Sequence, residues 1–231
     1  MGSAMNRILL SGLLASVLPI ASVQAQEVSV SFGAAVVSEY VSQGIRYSDG
    51  AAFQPYVELG FGGGYAGAYT SNIDADLTGA DRETGLSLGY RGEAGSFSYD
   101  ISVNYYLYDE AFEDFPVEDY AETVASGTFA ATETLYLTGE IGLAPEFDQT
   151  DLSLRADYYT AVEGLSVDAT FGRLDANYGT WNYWSAGATY RIADTVGLGV
   201  AYHDSDVSAD TGLTNTDGLF VATLSFDVSL R

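Results

Sequence analysis

The sequence predicts an all-β fold: a transmembrane, antiparallel, up-and-down β-barrel of about twelve strands. Apolar residues alternate with small polar ones through successive stretches of roughly ten residues, which is the period of a half-buried strand. The links between these stretches are short and long in turn, the layout of a barrel with short periplasmic turns and longer extracellular loops. The chain also opens with the features of an export signal. Its 231 residues suit one domain.

Met1 to Ala4 read as an expression leader ahead of a natural start at Met5. Asn6-Arg7, an apolar run from Ile8 to Ile20 and the cut-site segment Ser22-Val23-Gln24-Ala25, with small residues at Ser22 and Ala25, follow in the order of a secretory signal peptide. The run is too short to span a bilayer as a helix. Cleavage is expected after Ala25, so residues 1–25 are leader and signal and residues 26–231 are the barrel.

Strands are predicted near 28–41, 52–61, 65–73, 83–91, 96–108, 120–129, 133–141, 151–161, 165–174, 182–192, 195–204 and 218–230. The alternation is plain in Leu152, Leu154, Ala156 and Tyr158 against Ser153, Arg155, Asp157 and Tyr159. It is equally plain in Phe220, Ala222, Leu224 and Phe226 against Val221, Thr223, Ser225 and Asp227. Short turns are expected at 62–64, 92–95, 130–132, 162–164 and 193–194, and longer links at 74–82, 109–119, 142–150, 175–181 and 205–217. Pro55 lacks an N–H and is tolerable only where pairing gives out, near the long-loop end of its strand.

The polar face carries Ser, Thr, Gly and Asn, a poor surface for a soluble barrel. It is therefore assigned to the lumen and the apolar face to lipid. Aromatic belts are expected from Tyr65, Tyr90, Tyr158 and Tyr190 at the short-turn end and Tyr105, Trp184 and Tyr202 at the other. The lumen then receives Glu58, Asp100, Glu140, Asp157, Asp168 and Asp227 with Arg91, Arg155 and Arg191. An acid excess in a low-dielectric passage favours cations over anions. Arginine–carboxylate pairing of the Arg155–Asp157 kind that plugs the lumen is the competing expectation.

The chain carries 32 acids against 8 basic residues, a net charge of −24, which excludes nucleic acid as a natural partner. With no cysteine there is no thiolate metal site. The long links are acidic: Asp74, Asp76 and Asp81; Asp109, Glu110, Glu113, Asp114, Glu118 and Asp119; Glu146 and Asp148; Asp204, Asp206, Asp210 and Asp217. The spacings Asp74-x-Asp76 and Asp204-x-Asp206-x-x-x-Asp210 suit cation binding through oxygen but do not complete a calcium-loop pattern. His203, the one histidine, has Asp204 and Ser205 beside it in sequence, a weak basis for a hydrolase.

Several stretches resemble the TorF-type porin family of small bacterial outer-membrane proteins. They are Ser38-Glu39-Tyr40-Val41-Ser42-Gln43-Gly44-Ile45, then Gln54, Tyr65-Ala66-Gly67 and Ser71-Asn72-Ile73, and near the end Phe171-Gly172, Trp184 to Ala188 and Leu198 to Tyr202 followed by Asp204. Gln43 stands where that family usually has arginine. The resemblance implies an outer-membrane location and a pore.

The function expected is passive diffusion of ions and small hydrophilic solutes, with no catalytic residues, no resident metal and no cofactor. The expected partners are outer-membrane lipid, the diffusing solutes and the barrel assembly machinery during biogenesis; self-association into a homo-oligomer is left open. The alternatives are a closed structural or adhesive barrel with cation-binding acidic loops and, further off, a lipid hydrolase.

Overall fold

The computed structural model describes residues 28–110, 118–214 and 217–230. The expected signal at 1–25, Glu113, Asp114 and Pro116 lie outside these residues. The main strands are β1 (Val28–Val37), β4 (Ala52–Phe61), β5 (Gly64–Asn72), β6 (Ala80–Ala94), β7 (Phe97–Glu110), β8 (Tyr120–Ala130) and β9 (Leu135–Ala144). They continue with β10 (Gln149–Tyr159), β11 (Leu165–Ala176), β12 (Gly179–Ala193), β13 (Val196–Ser205) and β14 (Leu219–Leu230). Between β1 and β4 lie β2 (Val41–Ser42) and β3 (Ile45–Arg46), which pair only with each other. The other twelve strands form one closed antiparallel barrel, sealed where β1 pairs with β14. No helix among the described residues is long and apolar enough to cross a membrane, and the longest, α1 (Ala75–Thr78), is a single turn capped by Asp74.

Relative to a soluble protein the barrel is inside out. Its most exposed large residues are apolar, including Phe220 at 69% and Leu88 at 68%, whereas Glu83, Asp151 and Asp157 are buried in the interior at 2–4%. Leu59, Ile101, Leu154 and Phe171 continue this outer wall around other strands. An apolar surface that encircles the molecule far exceeds the roughly few-hundred-Å² patches of soluble monomers, and lipid is the solvent that suits it. Tyr90, Tyr158, Tyr190, Tyr105 and Trp184 point outward as expected. Tyr65 does not: it is buried, and its hydroxyl donates to Asp100 inside the lumen at 2.7 Å. The parity of β5 sends Tyr65 and Tyr69 inward and the smaller Ala66 and Ala68 outward, so residue size misled the face assignment.

Other sequence expectations change. The longer link expected at 142–150 is only the four residues 145–148, because β9 runs to Ala144 and β10 starts at Gln149. The link at 175–181 is a two-residue turn, because β11 and β12 run on to Ala176 and start at Gly179. The first strand ends at Val37, and residues 38–51 fold back as a separate structure described below. Pro55 behaves as expected. Pairing of β4 with β5 stops at Tyr56 opposite Tyr69, and beyond it Asn72 replaces the ladder with its side chain. The Asn72 carboxamide accepts from the Phe53 N–H at 2.7 Å and donates to the Ala51 carbonyl at 3.1 Å.

Interior tyrosines brace the wall. Tyr56 on β4 faces Gly33 on β1, and its hydroxyl reaches over that glycine to Asp227 on β14, at 2.8 Å. Tyr65 on β5 passes over Gly89 on β6 to Asp100 on β7, and Tyr183 on β12 passes over Gly172 on β11 to Asp151 on β10, at 2.9 Å. A Cβ on any of these glycines would lie within 2.7 Å of the ring, so the glycine is the seat that lets the ring lie flat. Each brace couples three adjacent strands.

Candidate functional site: an acidic lumen beneath an inserted hairpin

The nine charged residues expected in the lumen all sit on the inward face. Arg91 donates to Glu58 at 2.7 Å and lies 3.2 Å from Asp100, with its guanidinium carbon 3.8 Å from the centre of the Tyr65 ring. Arg155 pairs with Asp157 at 2.9 Å and with Asp168 at 3.4 Å. Arg191 and Asp227 are close enough to interact. These pairs join residues of one strand or of nearby strands, so they lie along the wall and do not span the lumen. Glu140 lines the central cavity.

Sequence reasoning missed three further interior acids, Glu83, Glu122 and Asp151, each buried. Asp151 has the parity of Ser153 and Asp157, so carrying the alternation back one step would have found it. Glu122 lies on β8, where alternation is blurred by Val124 facing in and Gly127 facing out. Glu83 has the parity of Arg91 on β6 and lies past the register shift between Ala80 and Arg82, so carrying the alternation back from Arg91 would have found it. It is a hub: the hydroxyls of Tyr40, Tyr69 and Tyr108 all donate to its carboxylate.

The largest departure from expectation is the segment 38–51. It enters the barrel from the long-loop end as the β2–β3 hairpin, turned at Gln43 and Gly44, both at positive φ (51° and 76°). Two positive-φ residues make the tight turn whose twist suits a two-residue hairpin. The root is fixed to the rim. Ser38 exchanges hydrogen bonds with Ala222, at 2.8 and 2.9 Å, and the Tyr40 hydroxyl reaches Glu83 at 2.9 Å. Burial, reinforced by the Glu83 carboxylate and by Tyr47, holds the Tyr40 phenol well above the ordinary tyrosine range.

The tip rests on the far wall. Gln43 donates to Asp151 at 3.1 Å, the Trp181 indole donates to the Gln43 carbonyl at 2.8 Å, and the Ser205 hydroxyl donates to the Gly44 carbonyl at 2.7 Å. Two small apolar clusters flank the hairpin, one of Val37, Tyr40, Ala52, Ile73, Ala80 and Val221, the other of Ile45, Leu174, Trp181 and Val207. Beneath it lies a cavity of about 190 Å³ bounded above by Val41, Ser42 and Gln43 and lined by Glu122, Glu140, Asp151, Arg155 and His203.

Of the motif residues that carried the family resemblance, those of the opening stretch and of the ends of β4 and β5 gather in one place, and the rest lie along the barrel strands. Ser38, Tyr40 and Gly44 are the root and tip of the hairpin, while Gln54, Ser71 and Asn72 secure the strands beside its root, Gln54 donating to Ser71 at 3.3 Å. Gly67 leaves room for Ser87, whose hydroxyl a Cβ there would approach to 2.6 Å.

The remaining motifs find local roles. His203 and Ser205 share the lumen face, but the Ser205 hydroxyl is committed to Gly44, and Asp204 accepts from Tyr202, so no triad is assembled. In the loops, Asp74 caps α1, Asp119 accepts from the Tyr108 N–H, and Asp109 pairs with Arg82. Asp206 accepts from the backbone and side chain of Asn182, which hold its carboxyl below the usual range. Among the described residues no group of three or more His, Cys, Asp or Glu is placed to hold a metal ion.

The family model described as "Bacterial protein of unknown function (Gcw_chp)" matches residues 21–229, almost the whole chain. The chain belongs to the Gcw_chp family. No curated protein matches it in sequence. Solved structures similar to this Gcw_chp member include the KdgM porin, at 9% identity and TM-score 0.60, covering 88% of this chain and 99% of that one. KdgM in complex with disordered oligogalacturonate gives 9% and 0.57 over 88% and 98% of the two chains. The NanC porin gives 8% and 0.52 over 89% and 100%. Identities this low establish the shared porin-like barrel and leave the solute unassigned.

Proposed function

We propose that the protein is an outer-membrane pore for passive diffusion of ions and small hydrophilic solutes, and that it prefers cations. The observation that carries this reading is the interior charge: Glu83, Glu122 and Asp151 add to the six acids expected, against Arg91, Arg155 and Arg191. In a passage walled by low-dielectric material, such an excess lowers the barrier for cations. KdgM holds an acidic saccharide; this lumen would repel one. On this reading the protein is not an enzyme, resides in the outer membrane after loss of its signal peptide, and belongs with the TorF-type porins. Its partners are then outer-membrane lipid, the barrel assembly machinery and, where subunits associate, its own copies.

The test is the reversal potential across a planar bilayer under a salt gradient. A cation-selective potential that falls toward zero in Glu122→Gln and Glu140→Gln is expected; anion selectivity overturns the charge argument. A second reading, a closed structural barrel, is favoured by one observation, the hairpin lying across the mouth, and it predicts no conductance from folded protein.

A further inference from the structure

We propose that the β2–β3 hairpin is a gate across the extracellular mouth, opening by release of its tip from the β10–β13 wall while its root stays in place. This rests on the pore reading above. The hairpin pairs only with itself and shares no ladder with any barrel strand, so it can leave the wall without unzipping the sheet. What holds the tip down is a small set of contacts: Gln43 to Asp151, Trp181 to Gln43, Ser205 to Gly44, and the Arg46 N–H donating to the Thr214 carbonyl of the β13–β14 loop at 2.9 Å. Apart from the Ile45 cluster, these are hydrogen bonds whose groups water can satisfy on release.

The root is built differently. Ser38 is bonded to β14, Tyr40 is anchored on Glu83, and the Tyr47 N–H donates to the Tyr40 carbonyl at 2.8 Å. Arg46 pairs with Asp49 at 2.6 Å. On the return limb Gly50, at φ 149° with open space around it, supplies a joint between this fixed base and β4. Below the tip lies the cavity, with Val41, Ser42 and Gln43 in its lining, so release of the tip enlarges its path to the outside. The geometry is that of a strut fixed at one end and docked at the other.

Gly44 gives a clean perturbation. A Cβ there would fall 2.5 Å from the Ser205 Cβ and 2.7 Å from the Tyr183 Cβ, so Gly44→Ala pushes the tip off the wall while leaving each wall residue intact. Gly212→Ala is the control: it has a similar positive φ (75°), lies in the β13–β14 loop, and has nothing within 4 Å. Single-channel recording of folded protein, checked by heat-modifiable gel migration, is expected to show a several-fold rise in open time or conductance for Gly44→Ala, with Gly212→Ala like wild type.

Reversibility is tested in the cysteine-free chain with Gly44→Cys plus Ser205→Cys. A disulfide holds its Cβ atoms about 3.5–4.5 Å apart, so oxidation by diamide should tether the tip beside the wall and lower the conductance, and dithiothreitol should restore it. Should Gly44→Ala fail to fold, Trp181→Phe, which removes one tip bond and keeps a ring, is expected to lengthen openings. Conductance unchanged by Gly44→Ala, or by Trp181→Phe in its place, overturns the gate and leaves the pore standing. Silence from wild type and every released variant, all shown to be folded, overturns the pore and the gate with it.

Discussion

Replacing Arg91 by methionine isolates the best-built charge cluster in the wall. The guanidinium serves Glu58 at 2.7 Å, Asp100 at 3.2 Å and the Tyr65 ring at 3.8 Å. Methionine fills most of the volume and supplies none of these. Glu58 is the costly survivor, because its side chain is only 8% exposed and would be left charged and dry. Removing one partner of such a pair costs about 3–5 kcal/mol. Asp100, with 23% of its side chain exposed and the Tyr65 hydroxyl retained, rehydrates and adds little. The lost cation–π contact adds about 0.5–1 kcal/mol. The expected destabilisation is therefore roughly 4 kcal/mol, read as a lowered urea midpoint for the barrel in detergent by heat-modifiable migration. Adding Glu58→Gln should restore most of it, because the stranded charge is gone. An Arg91→Met barrel within about 1 kcal/mol of wild type would refute the argument that this cluster is dry and mutually dependent.

Gly172→Ala should tilt the Tyr183 ring off its seat and break its bond to Asp151, costing about 1.5–3 kcal/mol in the same assay, whereas Gly139→Ala, facing open space, should change little. Asn72→Ala removes the side-chain bonds that continue the ladder past Pro55, and should speed hydrogen exchange at the Phe53 amide by about tenfold, with the β1–β4 ladder unaffected. Gln43→Arg should turn the bond to Asp151 into an ion pair and slow exchange at the hairpin amides; faster exchange would show that the tip does not tolerate the longer side chain. Alkaline titration supplies a fourth check. Tyr40 has its phenol raised by burial, so its contribution to stability is complete below the ordinary tyrosine pKa near 10 and is lost only as pH climbs through the higher folded value. In a Trp184→Phe background, Trp181 fluorescence should therefore hold steady through pH 10 and change above it. A transition centred at 10 would mean that Tyr40 is open to water.

The barrel was legible because its governing constraint is local. Period-two alternation reports which face of a strand is wetted by which solvent, and it places Glu58, Arg91, Arg155 and Asp227 inside without reference to any other strand. Where alternation is strong, as in β10 and β14, the face assignment holds throughout. At Tyr65 the aromatic cue overrode it, because a tyrosine suits a lipid interface and a polar lumen equally and only the parity of its neighbours separates the two. It was silent about the hairpin. Ser38 to Ile45 is too short for a period to show, and its position depends on partners as distant in sequence as Asp151, Trp181 and Ser205. The dipeptide Gln43-Gly44 was the one local cue, a tight turn flanked by Ser42 and Ile45, and it says where the chain reverses without saying that the reversal points into the lumen.

The tyrosine braces carry a consequence for how the sequence can vary over time. Gly33, Tyr56 and Asp227 lie on three strands drawn from opposite ends of the chain, yet each is useful only while the other two persist. The glycine without the ring is a gap in the wall, the ring without the glycine has no room, and the carboxylate without the hydroxyl is left short of a donor. Gly89, Tyr65 and Asp100 form the same interdependent set, as do Gly172, Tyr183 and Asp151. Each trio should be inherited or lost as a unit, leaving a correlated signature among descendants that no single column of a sequence comparison would display.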